Sequence, residues 1–302
     1  MKKRILALGL TVALAAASLA ACGGASTKTT EKKAEAGTEQ GSEKATEAAK
    51  EEKADAGELR TYKLGVNGSD HEEWEKANEL LAKDNIKVEM VEFSDYVKPN
   101  EALEDGEIDL NAFQTEIYFN NFVKERGYTD LGILAYTQVA PMGIYSSKYK
   151  SLDEATGHLI IAIPNDVTNG GRALKFLEKN GFLTLKKEAG LTPTVMDIEK
   201  YNKDVEIVEM VATQIPASLP DLSFACINNG VAKDAGLTLK NDAIVYEDYK
   251  EPDMKNYWNI IAAKKDRIES EDFQKIKKAY NSDEVKQVVL EHYDGQSIPV
   301  WD

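Results

Sequence analysis

The residues best suited to chemistry lie in one segment, Ile163-Pro-Asn-Asp-Val-Thr-Asn-Gly-Gly-Arg-Ala-Leu174. An apolar run delivers the chain to a turn, and a helix follows whose first turn is expected to hold Asn169, two glycines and Arg172. Backbone N–H groups at a helix start are unsatisfied and favour an anion. The glycines would let a ligand approach closely, and Arg172 offers a planar pair of donors that can grip a carboxylate. The chemistry expected of such a segment is recognition of a negatively charged group. Taken alone, Asn169 also reads as a simple cap and Arg172 as a surface ion pair.

Other chemistries lack their marks. No Gly-x-Ser-x-Gly elbow, no Gly-x-x-x-x-Gly-Lys-Ser/Thr loop and no dinucleotide glycine fingerprint occurs. His71, His158 and His292 are far apart in sequence, and His71-Glu72-Glu73 has no second histidine four residues on, so a zincin helix is excluded. No catalytic residue, metal or cofactor is therefore expected. With 52 acidic against 37 basic residues and a net charge of −15, nucleic acid is not an expected partner, because phosphate binding needs a concentrated basic patch.

The elements that position Arg172 begin well after the N-terminus. Lys2, Lys3 and Arg4 precede the apolar run Ile5 to Ala17, and Leu19-Ala-Ala-Cys22 follows. That run is shorter than the ~20 residues a permanent span needs, so residues 1–21 read as an export signal. The cleavage region resembles the bacterial lipobox, which implies lipidation of Cys22 (palmitate among the acyl chains). The signal removes positive charges only, so the mature chain is more acidic still. Gly23 to Glu58 contains no Val, Ile, Leu, Met, Phe, Trp or Tyr and has nothing to bury against the entropy of ordering. Residues 22–58 are expected to be a lipid-anchored, disordered linker. Cys226 is the only other cysteine; its apolar run, Leu222 to Ile227, predicts a small buried side chain.

Residues 59–302 alternate β-type and helical patterns. Strands are expected at Thr61–Val66, Ile86–Phe93, Ile108–Phe113, Leu131–Tyr136, Met142–Tyr145, Leu159–Ile163, Val205–Val211, Leu222–Ile227 and Tyr257–Ala263. Helices are expected after a cap at Ser69 or Asp70, and at Asn100–Glu104, Ile117–Arg126, Asn169–Asn180, Ser270–Ala279 and Ser282–His292. Alternation of this kind indicates an α/β fold with mostly parallel sheets flanked by helices. Two such series suggest two lobes, the geometry of a cleft binder.

Val91-Glu-Phe-Ser-Asp-Tyr-Val97, Pro99-Asn-Glu-Ala-Leu103, Asn111-Ala-Phe-Gln114, Pro141-Met-Gly-Ile-Tyr145, the Arg172 segment, Ala225-Cys-Ile-Asn228 and Ser282-Asp-Glu-Val-Lys286 occur in order behind the lipobox. In that order and spacing the chain resembles the NlpA-type methionine-binding lipoproteins that serve ABC importers. The resemblance implies a two-lobe periplasmic-binding-protein fold (type 2-like), with lobe one at about residues 59–139 and 247–302 and lobe two at about 140–246. It implies a monomeric receptor at the extracytoplasmic face of the cell membrane, anchored through lipidated Cys22. The receptor would take L-methionine or a related amino acid to a permease and its ATPase, without catalysis. By motif, Arg172 would pair with the ligand carboxylate, Asn169 and Asn228 would hold the head group, and Tyr96, Phe113 and Tyr118 would surround the side chain. Thr115 stands where many relatives carry His, and Gly230-Val231 departs from the usual polar residue and tyrosine, which widens the choice to another amino acid or a methionine-containing dipeptide. Gln114 and Tyr145 are weaker ligand candidates. An envelope enzyme or a surface adhesin is the disfavoured alternative.

Overall fold

The computed structural model describes residues 57–301. The export signal, Cys22 and nearly all of the polar spacer lie outside the described residues. The chain begins with β1 (Arg60–Asn67), α1 (Glu72–Leu81), β2 (Ile86–Phe93), α2 (Lys98–Asp105), β3 (Leu110–Asn111), α3 (Glu116–Arg126) and β4 (Leu131–Val139). It crosses to β5 (Gly143–Tyr145), β6 (Leu159–Pro164), α4 (Val167–Lys179), the hairpin of β7 (Leu183–Leu185) and β8 (Ile198–Tyr201), β9 (Val205–Met210), α5 (Ile215–Ser218), β10 (Phe224–Ile227), α6 (Asn229–Asp234) and β11 (Ala243–Tyr246). It returns through β12 (Trp258–Lys264), α7 (Lys265–Ile268), α8 (Glu271–Tyr280), α9 (Asp283–His292) and β13 (Ile298–Pro299).

Two main sheets result beside the two-stranded β7-β8 ribbon, in the orders β13-β4-β12-β3-β1-β2 and β11-β5-β10-β6-β9, so the chain has the expected two-lobe α/β architecture. The sheets are more mixed than expected. Parallel pairing is confined to β2-β1-β3 and β9-β6-β10, and every other neighbour within these sheets is antiparallel. The reason is connectivity. A parallel neighbour needs a crossover of a dozen or more residues, whereas β5 and β12, through which the chain enters each sheet after crossing from the other, and β13 run opposite to the remaining strands, so every antiparallel pair includes one of them.

Burial follows the apolar runs. Leu64 and Val66 of β1 are fully buried under Trp74, Phe273 and Val285 of α1, α8 and α9. Ile161 and Ile163 of β6 face Leu174, Leu177, Phe182 and Phe224 in the second core, as expected of a strand covered on both sides. Cys226 is fully buried in that same core, and burial pushes its thiol pKa well up, which keeps it an unreactive apolar filler. Ser270 and Ser282 cap α8 and α9, accepting from Phe273 N and Val285 N.

Some local expectations are corrected. The N-cap of α1 is His71, with no side-chain bond, because Gly68 (φ +78°) turns the chain before Ser69 and Asp70. The strand expected over Ile108–Phe113 shrinks to Leu110–Asn111, since the residues after it leave the sheet to line a cavity. The short strands β7, β8, β11 and β13 were not foreseen. With four residues or fewer in each, none forms a run that periodicity can detect.

Candidate functional site

Asn67 ends β1, Pro164 ends β6, and Asn228 follows β10. The carboxyl ends of these parallel strands, from both sheets, open on one cavity of about 770 Å³, the position where open α/β sheets hold ligands. Tyr96, Phe113, Thr115, Tyr118, Asn169, Arg172, Asn228 and Gln114 all line it, as do Gly230 and Val231. Tyr145 does not. It is 1% exposed, in the second sheet's core beside Gly143 and Leu239.

Three aromatic rings form a wall. Tyr96, Phe113 and Tyr118 lie 5.9 Å (Tyr96–Phe113), 6.1 Å (Tyr96–Tyr118) and 6.2 Å (Phe113–Tyr118) apart between centroids, each edge-on or tilted, the favoured arrangement. Tyr118 Oη donates to the Tyr96 carbonyl at 2.9 Å. Burial pushes both phenols well above their ordinary pKa, so the wall stays neutral. Thr115 caps α3, its Oγ1 accepting from Tyr118 N at 3.3 Å. Gln114 supports the wall from behind. Its Oε1 accepts from Asn100 Nδ2 (2.8 Å), and its Nε2 donates to Asn100 Oδ1 (2.7 Å) and Asn111 Oδ1 (2.8 Å). Both N–H donors of Gln114 are thereby used within the protein.

The polar side of the cavity differs in detail from the expected anion site. Helix α4 starts at Val167, so Arg172 falls in its second turn. Asp166 is the cap, accepting from Asn169 N at 2.8 Å, and a carboxylate of the chain itself occupies the helix start. The glycines serve packing. A Cβ on Gly170 would lie 2.7 Å from the Pro164 carbonyl, and one on Gly171 would lie 2.8 Å from Thr192 Cα. Neither lines the cavity.

Asn169 is held at both ends of its amide. Its Nδ2 donates to both Asp166 carboxylate oxygens (3.1 and 3.0 Å), and its Oδ1 accepts from Asn228 Nδ2 at 2.8 Å. Asn169 therefore orients Asn228, whose own Oδ1 is buried without a partner.

Arg172 is 2% exposed and already ion-paired. Its Nε lies 3.0 Å from both carboxylate oxygens of Glu247, and its Nη2 donates to Glu247 and to the Ala140 carbonyl (2.9 Å). The guanidinium stacks 4.3 Å from the Tyr257 ring centroid. A two-pronged grip through the Nε edge is thereby closed to a ligand, because Glu247 holds it. Only Nη1 has no hydrogen-bond partner among the described residues. Glu247 also accepts from Met142 N at 2.7 Å, which ties Arg172 to both chain crossings. Sequence reasoning missed Glu247, and also Asn67 and Gln138, which line the cavity; none carries a motif or spacing that marks it.

Residues 62–301 match the family model described as NlpA lipoprotein. The chain belongs to the NlpA lipoprotein family. A family relative from Escherichia coli K12, the D-methionine-binding lipoprotein MetQ, is 40% identical over 243 residues, covering 79% of this chain and 88% of that protein. A nutrient-binding protein from Burkholderia cenocepacia, solved bound to methionine, shares 35% identity with a TM-score of 0.75, over 80% of this chain and all of that one. The substrate-binding protein of a methionine transporter from Streptococcus pneumoniae shares 37% identity with a TM-score of 0.75, over 80% of this chain and 96% of that one.

Proposed function

We propose that this protein is a lipid-anchored extracytoplasmic receptor that binds methionine between its lobes and delivers it to an ABC permease driven by a separate ATPase. One observation carries this reading: a single cavity sets the clustered rings of Tyr96, Phe113 and Tyr118 on one side and the buried guanidinium of Arg172 on another. A thioether packs well against aromatic edges, and Arg172 Nη1 supplies a charged donor for a carboxylate. The methionine-bound relative and the relatives named for methionine support the same cargo. Lobe one would comprise about residues 59–139 and 247–302, and lobe two about 140–246. Cargo touching both lobes would stabilise the closed arrangement. L-methionine is the cargo expected from the sequence reading, whereas the Escherichia coli relative is named for the D-form.

A methionine-containing dipeptide is the second reading. It is favoured by the cavity of about 770 Å³, which lies in the range that accommodates ligands much larger than one amino acid. Mass spectrometry of small molecules released on denaturing the purified protein tests both. Free methionine is the expected result, and a non-amino-acid cargo would overturn the proposal.

The anchor rests on Leu19-Ala-Ala-Cys22. Cys22→Ala is expected to leave cargo affinity unchanged and move the protein from the membrane to the soluble fraction on fractionation. Stable membrane retention of that variant would overturn the lipid anchor.

A further inference from the structure

Among the described residues, three buried side-chain carbonyl oxygens lining the cavity have no hydrogen-bond donor: Asn67 Oδ1, Gln138 Oε1 and Asn228 Oδ1. Leaving a buried acceptor unpaired costs about 1–3 kcal/mol, so three in one cavity call for donors from whatever fills it. Two of the orientations are set by the structure. Asn67 Nδ2 donates to the carbonyls of Phe93 (2.7 Å) and Asp95 (3.0 Å), which can only accept; the amide cannot be turned round. Asn228 Nδ2 donates to Asn169 Oδ1, and Asn169 is in turn locked by the Asp166 carboxylate. Gln138 is carried on β4, where Asn259 Nδ2 donates to its backbone carbonyl at 3.1 Å.

We propose that Asn67 and Gln138 are ligand-contacting residues which, with Asn228, accept the N–H bonds of the cargo's ammonium group. This deepens the amino-acid reading above and rests on it. The chemistry matches in number and sign. A primary ammonium has three donors and no acceptor, the three amide oxygens have acceptors and no partner, and a water molecule would bring too few donors and no charge. Neither Arg172 nor Lys233 bonds these oxygens: Arg172 holds Glu247 through Nε and Nη2, and Lys233 pairs with Asp70 at 3.0 Å and lies over the Tyr293 ring. The three acceptors also come from both sheets. Asn67 and Gln138 belong to strands of the first, and Asn228 follows β10 of the second. An ammonium held by all three joins the lobes at a point distinct from Arg172. Asn67 and Gln138 are then specificity determinants for the amino group.

The test compares methionine with its des-amino analogue, methylthiobutanoate, by calorimetry and by competition, on the wild-type mature protein and on Gln138→Met and Asn67→Leu. Gln138→Met keeps length and removes the acceptor; thermal unfolding monitors whether Asn67→Leu, which loses its bonds to Phe93 and Asp95, stays folded. Each variant is expected to lose roughly 10–100-fold in methionine affinity, the value of a hydrogen bond to a charged group, with affinity for the analogue unchanged. Equal losses for both ligands in Gln138→Met, or no loss for either, would overturn the assignment while leaving methionine as cargo. Wild-type protein that binds neither ligand would overturn the cargo reading and this assignment with it.

Discussion

Arg172→Ala is expected to abolish measurable methionine binding, a loss of at least about 100-fold, and also to destabilise the free protein. The two effects share one cause. Arg172 neutralises Glu247 inside the protein, with both side chains almost wholly buried, and removing one partner of a buried pair costs about 3–5 kcal/mol. A loss of binding by Arg172→Ala alone therefore does not separate ligand contact from a disturbed lobe. Arg172→Lys separates them. A lysine still supplies positive charge to Glu247, so most of the stability returns, but it lacks the planar fork and the Nη1 position. Affinity for methionine is expected to stay low in Arg172→Lys while its thermal midpoint approaches that of the wild type. Full affinity in either variant, measured by calorimetry, would remove Arg172 from the ligand site.

Gly171→Val is expected to destabilise the second lobe by about 3 kcal/mol, the upper part of the range for overpacking. In a domain of this size that lowers the thermal midpoint by roughly 6–12 °C. A Cβ at this position would meet Thr192 Cα at 2.8 Å and the Pro193 carbonyl at 3.0 Å. These are backbone atoms that cannot rotate aside, so α4 must move off the loop it rests on, carrying Asn169 and Arg172 with it. Gly230→Ala is the control. Its added methyl meets nothing within 4 Å, and the change is expected to stay within about 0.5 kcal/mol. Equal midpoints for wild type and Gly171→Val, by calorimetric scanning, would show that the glycine is not needed for packing.

The α/β class and the Arg172 segment were legible in the sequence because each has a local signature. Leu159 to Ile163 is one uninterrupted apolar run and becomes β6, with Ile161, Ala162 and Ile163 fully buried. The aromatic residues Tyr96, Phe113 and Tyr118 could be grouped only through family resemblance, since they reach the cavity from separate elements. What stayed hidden is set by partners distant in the chain. Glu247 pairs with Arg172 across 75 positions, and in a chain with 52 acids nothing distinguishes it beforehand. Asn67 and Gln138 are polar residues at ordinary strand positions; only burial without a donor marks them. The paired glycines show the converse error. Their composition suggested access for a ligand, but the close neighbour in each case is the protein's own backbone.

The cavity between the lobes is expected to take free methionine and return it unaltered. Calorimetric titration of the mature protein, first unfolded and refolded to remove any retained cargo, tests it most directly, with L-methionine, D-methionine and aspartate as titrants and mass spectrometry of the ligand afterwards. Saturable heat with methionine, none with aspartate, and recovery of methionine chemically unchanged are the expected results. Absence of saturable binding by either methionine enantiomer, or conversion of methionine to a product, would contradict them.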